Sequence, residues 1–407
     1  MRSFHVRTNL VEVPTRGKMF SPPPNVALVA LSFLAFFQFC IFRPQVLYLA
    51  HKSQFFANVS SETPPSAPSA LNTNTSAIDP LLPDVLRPKI RQVSMRVYNA
   101  TNETNDALDE RCMATHIEYG KRWGYPTHVL REDVRGKGEW MELVFSKPLY
   151  MLSLAVAEMA KPTDERAEWL VFFDSDTILL NPNIPWTLFL PPSDFSDIHF
   201  LGGRDWGFGS GFNAGVFFVR INEWSVKMLT EVAALPDLRT DVEIDHNAEQ
   251  TAFKWVFKRV GYREHVLYQP VEWFNGIEYS HNHLPRVQDG DMLIHFCGLK
   301  KHKFGAVQRW LDRLERAPHE LQIPLEKTSY QANIDAYWTR LMEARDLTQK
   351  LDRLHDGNDT TQYLLRAQAR LQQIIYDEAD KSSFFRAVIN QVKSALAAAE
   401  NPANSTK

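Results

Sequence analysis

The sequence predicts an α/β protein built on a mostly parallel sheet with helices on both faces. Two observations carry that expectation. The apolar run Trp169–Phe173 is too short for a helix and has no polar alternation, as befits a strand buried on both faces. Around it, strand-like and helix-like segments alternate along the chain.

Ordered structure is expected to begin near Ile90, with a strand over residues 90–98. A helix over 106–123 stops at Gly124, and a second strand covers 125–130. Residues 145–160 follow as a helix with Leu149, Leu152, Leu154 and Val156 on its apolar side, leading into the Trp169–Phe173 strand. Further strands are expected at 199–203, 214–219 and 291–296, with a helix over 247–260 that Asp245 is placed to cap. From about Leu311 the chain turns to charged, amphipathic helices. Leu347, Leu351 and Leu354 share one face and Leu364, Leu371 and Ile374 another, with Asp356-Gly357-Asn358 as the turn. The heptads are too few for a coiled-coil seam, so this pair reads as a packing appendage.

With 407 residues, 44% hydrophobic and 23% charged, the composition is that of a globular protein, and a net charge of -3 gives no basic excess for nucleic acid. Residues 26–42 are apolar except for Ser32 and Gln38. At a helical rise they span roughly 25 Å, enough for a thin bilayer. A cleaved signal peptide is the competing reading, but the stretch starts late and no small-x-small site follows it. The sequons at Asn58, Asn74, Asn99, Asn102, Asn358 and Asn404 all lie after the stretch and at the margins of the expected core. The expected organisation is a cytosolic tail (1–25), a transmembrane signal-anchor (26–42), a flexible lumenal stem rich in Ser, Thr and Pro (43–88), a folded domain (89–310) and a C-terminal helical extension (311–407). That is a single-pass type II membrane protein. Cys112 and Cys297 are then lumenal, either as a disulfide or as two free thiols.

Asp174-Ser175-Asp176 emerges at the carboxyl end of the Trp169–Phe173 strand, where open α/β sheets place ligands. In an extended segment the two carboxylates point the same way and suit one hard divalent cation; an Asx turn is the plain alternative. Gly207, Gly209, Gly211 and Gly215 crowd one segment around Asn213, either a loop entering a strand or a surface for close ligand approach. Glu249 and Gln250 stand at a helix start, where an acid also serves the helix dipole. His295 ends a short apolar strand, and Gly298 and Lys300 follow it. A lone histidine there is ordinarily a satisfied core residue; the imidazole can instead serve as a third ligand to Mn²⁺, and a lysine beyond it can face a diphosphate. Lys301 and Lys303 read as a solvated loop.

The ordered series Asp174-Ser175-Asp176, Asn213-Ala214-Gly215, Glu249-Gln250 and His295-Phe296-Cys297-Gly298-Leu299-Lys300 resembles glycosyltransferase family 34. That family includes fungal galactosyl- and mannosyltransferases and plant xyloglucan xylosyltransferases, and the likeness covers roughly residues 90–305. It implies a GT-A (Rossmann-like) nucleotide-sugar-binding domain, a Golgi location with the catalytic domain lumenal, and retaining transfer of a hexose to a glycan acceptor. It implies Mn²⁺, or Mg²⁺, held by Asp174, Asp176 and His295, and a donor such as UDP-galactose or GDP-mannose. The donor would be bound by Asp174, Ser175, Asp176, Asn213, Ala214, Gly215, Gly298 and Lys300, with Glu249, Gln250 and Lys300 at the reacting centre. Glu249 stands where many relatives carry Asp, and Thr177 where Ala is common. The alternative is a non-catalytic scaffold subunit of a Golgi glycosyltransferase complex, and complex partners are expected in either case. A two-metal phosphoesterase would need more clustered ligands than this chain offers.

Overall fold

The computed structural model of the chain describes residues 89–97, 103–136, 138–205, 211–278, 286–356 and 362–400, all within the compact unit Asn74–Lys407. The expected tail, anchor and stem, the six sequons, Gly207, Gly209 and the turn at Gly357 lie outside the described residues. Among those described, no helix is long and apolar enough to cross a membrane.

The larger sheet has six strands: β1 (Ile90–Met95), β2 (Thr127–Leu130), β3 (Trp169–Phe173), β5 (Phe200–Asp205), β6 (Gly211–Arg220) and β7 (Val266–Tyr268). Their order is β2-β1-β3-β6-β5-β7. The sheet is parallel except for β6, which runs antiparallel to both neighbours. A smaller sheet pairs β4 (Thr177–Leu179) and β8 (Gly276–Ile277) on either side of β9 (Leu293–His295).

Because side chains alternate along a strand, β3 feeds two cores. Leu170 and Phe172 join Phe200, Phe217 and Val219 under α2 (Ser146–Met159), α3 (Glu223–Leu238) and α4 (Glu249–Phe257). Trp169, Val171 and Phe173 face the other way, into a cluster shared with α1 (Glu103–Trp123). That cluster continues without interruption into the C-terminal helices α6 (Tyr330–Asp356), α7 (Gln362–Asp377) and α8 (Ser382–Glu400), which follow α5 (Lys303–Arg316). Leu347, Leu351, Leu364, Leu371 and Ile374 are all buried in it. Helices therefore cover both faces, as the alternating pattern predicts.

The sequence reading missed α3. Its start is marked by Asn222, whose side chain accepts the Ser225 N–H, but Pro236 interrupts the pattern in its last turn. Several boundaries also differ by a few residues. The strand read over 125–130 begins at Thr127, and the helix read over 247–260 begins at Glu249. Asp245 does not cap that helix; it accepts the Asn247 N–H in a local turn, and Ala248 occupies the cap position with no side-chain bond. Cys112 and Cys297 are both free thiols, the first buried and the second half-buried.

Candidate active site

Strand register explains why the two aspartates meet His295. Phe173 of β3 lies opposite Val216 of β6, and the next N–H, that of Asp174, donates to the Gly215 carbonyl at 2.7 Å. Thr177 of β4 lies opposite His295 of β9, and the Phe296 N–H donates to the Asp176 carbonyl at 3.0 Å. Residues 174–176 thus carry the chain from the larger sheet to the smaller one, with Ser175 in the turn between them. Asp174, Asp176 and His295 offer ligand atoms that all lie within 4.8 Å of one another. His295 Nε2 is 3.7 Å from Asp174 Oδ2 and 3.4 Å from Asp176 Oδ1. The cluster sits at the carboxyl end of β3. Its neighbour β1 is flanked by β2 on the other side, so the strand order reverses at the β1–β3 crevice.

The tautomer of His295 follows from a backbone amide. The Gly215 N–H donates to Asn213 Oδ1 at 2.9 Å, which fixes that atom as oxygen. The same oxygen accepts Asn275 Nδ2 at 2.8 Å, so the Asn275 oxygen faces His295 Nδ1, also at 2.8 Å. Nδ1 therefore carries a proton, and Nε2 is the nitrogen turned toward the two carboxylates. An imidazole held this way by an outer amide, with two carboxylates beside it, fits a cation that accepts both oxygen and nitrogen, such as Mn²⁺. Burial opposes a charge on His295, but Cys297 and Asp176 outweigh it and lift its pKa well above the usual value. A bound divalent cation would relieve that demand and leave the ring neutral. Burial likewise opposes the charge on Asp176, but Lys303 and His295 hold its carboxyl far below the ordinary range.

A lysine that the sequence reading did not single out organises the other half of the site. Lys147 Nζ lies 3.0 Å from Asp174 Oδ1, 2.8 Å from Glu249 Oε1 and 3.0 Å from the Ala214 carbonyl oxygen. It is only 3% exposed and stands 4.5 Å over the Phe172 ring. Burial disfavours its charge, yet Asp174 and Glu249 raise its pKa above the ordinary lysine value. Burial pushes the Glu249 carboxyl up, with Lys147 pulling against it. The available signal was a charge in an apolar stripe, since Lys147, Met151, Ala155 and Glu158 are spaced to share the buried side of α2.

Gln250 Oε1 accepts the Ala214 N–H at 3.0 Å, so α4 and β6 are bonded directly at Asn213-Ala214-Gly215. Immediately before Glu249, Ala248 adopts φ 45° and ψ -112°. A positive φ at a buried non-glycine residue is strain stored beside a candidate reacting group.

A second lysine on the triad is Lys303, 2.8 Å from Asp176 Oδ2, rather than a member of a solvated loop. Lys300 is exposed, at φ 48°, and follows Gly298, whose φ of 73° makes the turn after β9. Asn275 was also missed; its role depends on contacts across three strands that local sequence does not encode.

No family model matches the chain, and no curated protein matches it. Among solved structures, it is similar to one described as a glycosyltransferase involved in the glycosylation of the major capsid of PBCV-1. The identity is 20% and the TM-score 0.44, over 55% of this chain and 100% of that one.

Proposed function

We propose that the chain is a GT-A glycosyltransferase that moves a hexose from a nucleotide sugar, UDP-galactose or GDP-mannose, onto a glycan with retention of configuration. The observation that carries this reading is the convergence of Asp174, Asp176 and His295, whose Nε2 faces the two carboxylates, at the strand switch of an α/β sheet. Asp174, Asp176 and His295 would hold Mn²⁺, which supplies charge compensation for a diphosphate leaving group when bound. Lys303 adds fixed positive charge beside Asp176, and Lys300 extends that charge along the exposed turn. Asn213-Ala214-Gly215 lines the donor sugar's side, braced by Gln250.

Glu249 has a carboxylate oxygen already engaged by the Lys147 ammonium at 2.8 Å. An ammonium bound in this way withdraws nucleophilicity from a carboxylate, which disfavours a double displacement through Glu249. The acceptor hydroxyl instead attacks on the face from which the diphosphate departs, and a phosphate oxygen takes its proton. Glu249 and Gln250 then shape and polarise the anomeric environment.

The apolar stretch at 26–42 and the sequons after it support a type II protein of the Golgi membrane with this domain in the lumen. The test is turnover by the full chain in detergent with UDP-galactose, GDP-mannose, UDP-glucose and UDP-xylose, with and without Mn²⁺. Mn²⁺-dependent release of nucleotide from one donor is the expected result. Absence of release from every donor would sink the enzyme reading in favour of the scaffold subunit.

A further inference from the structure

His116 is fully buried in α1, and nothing in the reaction outlined above uses it. Its ring stacks on Phe173, the residue before Asp174, with centroids 3.7 Å apart and planes 7° from parallel. Its Nε2 lies 2.9 Å from Thr177 Oγ1, and the same hydroxyl lies 2.7 Å from the Asp174 carbonyl oxygen. Thr177 is also fully buried, directly after Asp176.

The proton positions follow from the partners. A carbonyl oxygen only accepts, so the Thr177 hydroxyl donates to Asp174. The hydroxyl oxygen then accepts from His116 Nε2–H, which leaves Nδ1 unprotonated. That nitrogen meets no hydrogen-bond partner among the described residues. A buried polar atom left unsatisfied costs stability, and a phenyl ring would stack on Phe173 without that cost. The histidine is thus poorer than Phe for packing, and the donor at Nε2 is what it adds.

We propose that His116 is a positioning residue for the metal-binding turn, orienting the Thr177 hydroxyl that ties the Asp174 carbonyl back across residues 174–177. The turn contains two of the three ligands, and its backbone is otherwise held from outside, by Gly215 on one flank and Phe296 on the other. The hydroxyl is the internal brace, and His116 removes its freedom to rotate away. Burial lowers the His116 pKa to about 3, against a hydrogen bond to the Thr177 backbone, so the ring stays neutral across working pH. The inference rests on the cation site proposed above.

The test measures Mn²⁺ binding by the full chain without donor, from the paramagnetic resonance signal of free Mn²⁺, together with the melting temperature. His116→Phe is expected to melt at or above the wild type while binding Mn²⁺ roughly tenfold more weakly, the lower end for loss of an outer-shell partner. His116→Gln, whose amide N–H reaches where Nε2 does, should recover most of that affinity. Thr177→Val should match His116→Phe, and the double variant should be no weaker than Thr177→Val alone. Should His116→Phe not fold, Thr177→Val against Thr177→Ser gives the same comparison. Equal affinity in wild type, His116→Phe and Thr177→Val overturns the positioning role alone. No Mn²⁺ binding by the wild type overturns it together with the cation site.

Discussion

Gly215 and His295 are in contact so close that no side chain fits between them: a Cβ on Gly215 would lie 2.2 Å from His295 Cε1 and 2.5 Å from Nδ1. The glycine is required by approach, not by backbone conformation. Gly215→Ala should therefore push the ring off its bond to Asn275. The expected result is a loss of about 1–3 kcal/mol in stability from overpacking and a fall of roughly tenfold or more in Mn²⁺ affinity. Thermal melting and a Mn²⁺ titration on the same preparation check both.

Lys147→Met leaves Asp174 and Glu249 facing each other without their shared cation. Stranding the buried Glu249 carboxylate costs about 3–5 kcal/mol, while the half-buried Asp174 is partly screened by solvent. The double variant Lys147→Met/Glu249→Gln should recover part of that loss, because one stranded charge is removed. Denaturant unfolding of the four-member cycle measures the coupling, and strict additivity would contradict the pairing.

Lys303 and Lys301 differ in what they touch, and their substitutions should differ accordingly. Lys303→Ala removes the cation beside Asp176 and should lower kcat/KM for the donor roughly ten- to hundredfold. Lys301, exposed and two residues earlier, serves as the control, and Lys301→Ala should leave the value close to wild type.

At Ala248 the strain predicts an inverted order of stability. Ala248→Gly should melt no lower than wild type, because relief of a positive φ offsets the roughly 0.5–1 kcal/mol that glycine usually costs. A β-branched residue has no low-energy state there, so Ala248→Val should melt well below both.

Asp109, buried in α1, has its carboxyl pushed up to about 6 by burial, against the pull of Arg96 at 2.8 Å. A raised carboxyl makes its charged form a cost to the fold. That cost is fully present above pH 6, shrinks as pH falls toward the unfolded-state value near 4, and is gone below it. Wild-type stability should therefore fall by on the order of 2–3 kcal/mol on going from pH 4 to pH 6 through this group. Asp109→Asn should flatten that part of the profile in urea unfolding.

The elements legible in the sequence are those whose local pattern suffices. Trp169–Phe173 announces a doubly buried strand, and the 145–160 pattern lies within one residue of α2 at each end. The short strands β4, β7 and β8 have three residues or fewer and show no period; they exist because partners hold them. The start of α4 shifted because an unfavourable backbone state at Ala248 overrides the capping signal of Asp245. At the site, Asp174, Asp176 and His295 stand out because each is polar at the end of an apolar run. Asn275 and His116 do not, because their meaning comes from side chains brought together by tertiary packing, and Lys147 shows in the sequence only as a charge in an apolar stripe.

Residues 174–176 are also a fixed length. Asp174 is locked to β6 through Gly215, Asp176 to β9 through Phe296, and a single residue, Ser175, spans the gap. Ordinary surface connections absorb insertions readily. This one has no slack: an added residue would shift β3 against β6 or β4 against β9 by one, and a one-residue slip turns a strand's inner face outward. The two sheets thus fix the number of residues between Asp174 and Asp176 at one.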